Sequence, residues 1–124
     1  MEKRDGFLKH QIKSFGFATE GIFYSFQKGT HFKIHTAAAI LVLILGLIYQ
    51  IDAFEWLVIV LISSSVLAAE AINTAIEETC NLLNPESHAL ARIAKHCAAG
   101  GVLILSIAAV IIGLIIFLPK IFSI

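Results

Sequence analysis

From Cys97 to Leu118 no residue carries a charge, and the run stops only at Pro119-Lys120. A helix needs about 20 apolar residues to cross a bilayer, with a range of about 17–25. This segment meets the requirement unaided. Thr36–Ile51 is also uncharged and ends at Asp52. It spans if Lys33, His35 and Asp52 sit at its ends. A third run starts at Trp56, is interrupted by Glu70, and continues to Ile76. It spans only if Glu70 lies inside the membrane. These runs predict an all-α membrane protein with spans over 33–51, 54–80 and 91–119. Asn84-Pro85-Glu86 marks a turn within the link 81–90.

Composition closes off the alternatives. Hydrophobic residues make up 58% and charged residues 15%, with mean hydropathy +0.88. A soluble domain runs about 45–50% apolar and about 25% charged. A small globule cannot hide that excess, because its surface-to-volume ratio is high. Lys+Arg (9) balances Asp+Glu (9). With no global basic field, nucleic acid is a poor candidate partner.

The N-terminal stretch has neither the apolar centre nor the small-residue cleavage site of a signal peptide. Leu8, Ile12, Phe15, Thr19, Ile22 and Phe26 recur at spacings of three and four. This predicts an amphipathic helix over 6–28, suited to a membrane interface or to another helix of a bundle. Gly16 and Gly21 permit close approach by a neighbour.

Orientation follows from the cations. Lys3, Arg4, Lys9, Lys13, Lys28 and Lys33 precede the first span, and Arg92 and Lys95 lie between the second and third. The link Asp52–Glu55 has none. The positive-inside rule puts the N-terminus and the second link in the cytoplasm. Cys80 and Cys97 then lie near the cytoplasmic side, where free thiols are expected.

The second span carries the chemistry. Asn73, Glu77 and Asn81 follow Glu70 at offsets of 3, 7 and 11. At about 100° per residue these side chains share one helical face. Ionisable groups in a bilayer are costly and face a bundle interior or an aqueous site. One carboxylate suits a general base for an alcohol. Another suits a divalent cation, since Mg²⁺ takes one or two carboxylates plus substrate phosphates. Glu86, His88, Arg92 and Lys95 add groups able to hold a nucleotide. Plainer roles stay open: Asn73 as interhelical glue, Glu77 solvated among headgroups, Glu70 as a neutral structural acid. There is no P-loop and no Gly-rich kinase loop. A transition-metal site is a further candidate, because His31 and His35 have the i, i+4 spacing of ligands and His96-Cys97 are adjacent, with Cys80 and His88 as neighbours. No CxxC or HExxH pattern supports it.

The segment Glu70-Ala-Ile-Asn73-Thr-Ala-Ile-Glu77-Glu78 resembles the small integral-membrane kinases of the prokaryotic diacylglycerol kinase and undecaprenol kinase family. So do Phe32-Lys-Ile-His35, His88-Ala-Leu90, Ala94-Lys95 and Ala98-Ala-Gly-Gly-Val102. Glu55-Trp56-Leu57 looks more like the undecaprenol kinases. The resemblance implies a homotrimer in the bacterial inner membrane, transferring the γ-phosphate of ATP to a membrane lipid alcohol at the cytoplasmic face with Mg²⁺. Undecaprenol is the first expected substrate and diacylglycerol the second. By position, Glu70 is the general base and contacts lipid together with Ala99. Asn73 orders the site, and Glu77 is the metal ligand. Phe17, Glu77, Glu86, His88, Lys95 and His96 contact nucleotide.

Three positions depart from the family pattern. Gly29 stands where a second metal-binding Glu is usual, and Asn81 and His96 stand where Asp is usual. Two readings follow: a kinase whose metal is carried mainly by ATP and Glu77, or an altered member that binds lipid or nucleotide or regulates a partner.

Overall fold

The computed structural model describes residues 2–83 and 88–123. These form four α-helices: α1 Glu2–Lys28, α2 Thr30–Ile48, α3 Ala53–Leu83 and α4 Ala89–Ile121. The all-α architecture is as expected. Three of the helices are long and apolar enough to cross a membrane, with spans within His31–Ile48, Ala53–Leu83 and Ala89–Ile121. α3 packs mainly on α4, α2 packs on α3, and α1 touches the start of the bundle.

The helix ends have identifiable causes. α2 closes at Ile48. Gln50 adopts a left-handed backbone with φ 50°. The Ile51 amide then donates to the Gly46 carbonyl at 3.2 Å. This is a Schellman closure, with Gln50 where glycine is usual. α3 starts behind a reciprocal cap. Asp52 Oδ1 accepts from the Glu55 amide at 2.8 Å, and Glu55 Oε2 accepts from the Asp52 amide at 3.0 Å. Two orphan donors of the first turn are thereby satisfied. α4 starts at Ala89 behind a cap from His88, whose Nδ1 accepts from the Leu90 amide at 3.2 Å.

The core lies at the end of the bundle where α2 gives way to α3. Ile51, Ile59, Ile116 and Phe117 are buried there, with Val42, Leu45, Tyr49, Trp56 and Ile112 packed around them. Lys120 Nζ reaches Glu55 Oε1 at 3.0 Å and ties the end of α4 to the start of α3. Gly46 allows this packing. A Cβ there would stand 2.7 Å from Trp56 Cη2 and 3.1 Å from Ile51 Cδ1. Gly46→Leu is therefore expected to destabilise the bundle by about 1–3 kcal/mol, the usual cost of overpacking. Unfolding in detergent micelles checks this; unchanged stability would contradict the packing.

Much apolar surface stays uncovered, including Leu47, Leu57 and Ile104, each about 70% exposed. Patches this large need a partner. For spanning helices, lipid or further copies of the chain supply it. α1 is exposed from Gly6 through Tyr24. Its attachment is at its C-terminal end, where Phe26 packs edge-on against Phe32 at 6.2 Å between ring centroids. Lys28 there pairs with Glu78 of α3.

Candidate active site

The polar stripe of α3 lies at the opposite end of the bundle from that core, where α1 meets α2 and where α4 begins. Glu70 is buried, with 4% of its surface exposed, as is Thr74 one turn later. The Thr74 hydroxyl donates to the Glu70 carbonyl at 3.0 Å, leaving the carboxylate to other partners. From α2, His35 Nε2 comes within 3.3 Å of Glu70 Oε1. One turn beyond Glu70, Asn73 Nδ2 donates to Glu77 Oε1 at 3.2 Å. That contact fixes the amide, because its nitrogen must face the carboxylate. Asn73 Oδ1 then points elsewhere. Among the described residues, it is the buried side-chain oxygen left with no hydrogen-bond partner. A buried unsatisfied acceptor calls for an explanation, such as an ion or ligand.

The stripe continues toward the helix end. Lys95 of α4 donates to Asn81 Oδ1. Asn81 is neutral, so it holds the ammonium without cancelling its charge. An Asp at this position would cancel it. Lys28 and Glu78 cancel each other beside the stripe. The hydrogen bond to Glu78, and then that to Tyr24, hold the Lys28 pKa above its ordinary value of 10.5. Lys95 is thus the cation at the start of α4 whose described partner carries no charge.

The remaining expected positions are less closely joined. His88 uses Nδ1 as a cap, so in the neutral ring the proton sits on Nε2. His96 and Ala99 are exposed on α4, and Phe17 is exposed on α1. Glu86 lies outside the described residues. His31 is exposed and apart from the contact that His35 makes. Among the described residues no three His, Cys, Asp or Glu side chains gather as a metal centre. Cys80 and Cys97 are free. Gly29 is tightly placed: a Cβ would meet the Ser25 carbonyl oxygen at 3.0 Å and Phe32 Cβ at 3.4 Å. The break between α1 and α2 is one residue wide, and Gly29 fills it with the smallest side chain.

An apolar groove of about 350 Å³ runs between α2, α3 and α4. Ala39, Ile62, Val66, Ser106 and Phe117 line it, and His35 stands at its end. The groove therefore leads to the Glu70 contact. Lipid-like surface, a buried acid and a lysine bonded to a neutral partner lie toward one end of the bundle.

A family model for prokaryotic diacylglycerol kinase matches residues 16–117. The chain belongs to this family. The match spans the entire stripe, the start of α4 and the groove. Two relatives extend it. The undecaprenol kinase of Bacillus subtilis is 41% identical over 113 residues, covering 91% of this chain and 92% of that protein. The diacylglycerol kinase of Synechocystis is 39% identical over 113 residues, covering 90% of this chain and 65% of that protein. This is a membrane-protein family, in keeping with the three apolar helices.

The donors present suit a hard divalent cation. Glu77 offers a carboxylate oxygen beyond the one paired with Asn73, and Asn73 Oδ1 offers a second oxygen with no partner. Oxygen donors of this kind are those of Mg²⁺, which relies on substrate phosphates for the rest of its shell.

Proposed function

We propose that the protein transfers the γ-phosphate of ATP to the hydroxyl of a membrane lipid alcohol, undecaprenol in first place and diacylglycerol in second. The observation that carries this is a buried carboxylate in contact with the histidine that ends an apolar groove, on the same helical face as the asparagine that holds Lys95. The groove suits a hydrocarbon chain. The carboxylate suits the hydroxyl at its head. The names of the two relatives support the substrate class, and the resemblance of Glu55-Trp56-Leu57 to the undecaprenol kinases supports the order.

In this reading Glu70 is the general base. The lipid oxygen attacks the γ-phosphorus as its proton passes to the Glu70 carboxylate. The new O–P bond forms as the bond to the β-phosphate oxygen breaks, and ADP leaves with that electron pair. Phosphoryl transfer of this kind rests mostly on positioning and charge stabilisation. Lys95 supplies charge to the phosphates, and His88 supplies an Nε2 proton at the N-terminus of α4, where the helix dipole also favours an anion. Glu77 and Asn73 would hold Mg²⁺, which supplies charge neutralisation for the phosphates. Phe17, Glu86 and His96 complete the nucleotide contacts, and Ala99 contacts the lipid.

The site faces the cytoplasm of a bacterial inner membrane, supported by the cations of α1 and the start of α4. The assembly is a homotrimer. The exposed α1 and the uncovered apolar faces support association with further copies, and the family resemblance supports three.

Lys95→Met is expected to raise KM for ATP about 10–100-fold, from the loss of one or two charge-assisted contacts. Titration of ATP at saturating lipid checks it; an unchanged KM would remove Lys95 from the nucleotide site.

A second reading, a family member that binds lipid or nucleotide without turnover, is favoured by the uncharged Gly29, Asn81 and the non-acidic His96. Purified protein in mixed micelles holding both alcohols at equal concentration separates the readings. Phosphorylated undecaprenol in excess over phosphatidic acid supports the kinase and the order. The reverse ratio reverses the order. No product with either lipid supports the second reading.

A further inference from the structure

We infer that His35 is the positioning residue for Glu70, aiming its carboxylate at the lipid hydroxyl. This rests on the proposed role of Glu70 as base. A glutamate side chain has three rotatable bonds, and a base must be held within hydrogen-bond reach of its proton donor. The neighbours on α3 do not hold it. Thr74 bonds the backbone carbonyl of Glu70, and Asn73 bonds Glu77.

His35 reaches the carboxylate from a different helix, with Nε2 at 3.3 Å from Oε1. The contact sets the imidazole against one carboxylate oxygen across the α2–α3 interface. The ring that makes it is rigid, with two side-chain torsions, and is itself only partly exposed. His35 also lines the apolar groove. The same side chain thus touches the base and the path by which the hydroxyl arrives. A role in a metal pair with His31 is not supported: His31 is exposed, and no three-ligand cluster occurs among the described residues.

The test uses four proteins in the same mixed micelles: wild type, His35→Leu, His35→Gln and Glu70→Gln, together with the double variant His35→Leu/Glu70→Gln. Removing the imidazole should lower kcat about 10–100-fold, as misplacement of a reacting group does, with KM for ATP changed by less than about twofold. His35→Gln places an amide N–H near the position of Nε2 and should return kcat to within about threefold of wild type. In the Glu70→Gln background, His35→Leu should change the residual rate by less than about twofold, because the two residues act as one unit. Should His35→Leu not survive purification, His35→Asn replaces it, with an arm too short to reach Glu70 and the same expected loss.

Three results overturn the inference while leaving the base intact: wild-type kcat in His35→Leu, no recovery in His35→Gln, or additive losses in the double variant. Wild-type turnover in Glu70→Gln alone overturns the base assignment and the inference with it.

Discussion

Glu70→Gln is expected to lower kcat by about 10²–10⁴-fold, the range that a positioned general base supplies. The substitution keeps the volume and a hydrogen-bonding oxygen but removes the capacity to take a proton. Glu70 contacts His35 of α2, whereas Lys95 bonds Asn81 and His88 caps α4. ATP affinity should therefore change by less than about threefold, since no phosphate contact is lost. Stability should not fall, because a buried carboxylate costs more to desolvate than an amide. A loss in kcat with intact nucleotide binding is the signature of an interaction made on the way to the transition state. Equal losses in kcat and in ATP affinity would instead mean that Glu70 shapes the nucleotide site.

Glu77→Gln should act differently. Glu77 already gives one oxygen to Asn73 Nδ2, which sets the orientation of the rest of the carboxylate. Removing its charge takes away the fixed negative group offered to Mg²⁺. The Mg²⁺ concentration for half-maximal rate should rise on the order of 10²-fold, about the loss of one charged ligand interaction of 2–3 kcal/mol. Excess Mg²⁺ should then recover much of the rate, which it cannot do for Glu70→Gln. Asn73→Ala, which frees Glu77 to reorient, should show a weaker shift in the same direction. A Glu77→Gln protein with the wild-type Mg²⁺ dependence would leave the metal to ATP alone.

The stripe of Glu70, Asn73, Glu77 and Asn81 is legible in the sequence because helical periodicity alone puts those offsets on one face. The apolar runs reveal the long helices for the same reason: hydrocarbon tolerates little else at that length. The end of α2 is hidden. Nothing in Tyr49-Gln50-Ile51 announces a left-handed glutamine, and the closure depends on Ile51 finding a buried place. Glycine at position 46 is meaningful only once Trp56 is known to lie over it. The pairings of His35 with Glu70 and Lys28 with Glu78 join different helices. Spacing along one helix cannot reveal these. The neutral Asn81 reads in sequence as a lost acid. In the structure it is a neutral hydrogen-bond partner of Lys95.

The central claim is that this helical face moves phosphate onto a lipid. The most direct measurement follows γ-labelled ATP into organic-extractable lipid, with wild-type protein and Glu70→Gln side by side in micelles containing undecaprenol or diacylglycerol. Labelled lipid is expected from the wild type and almost none from Glu70→Gln at equal bound ATP. Folded wild-type protein that binds ATP yet labels neither alcohol in the presence of Mg²⁺ would contradict the claim.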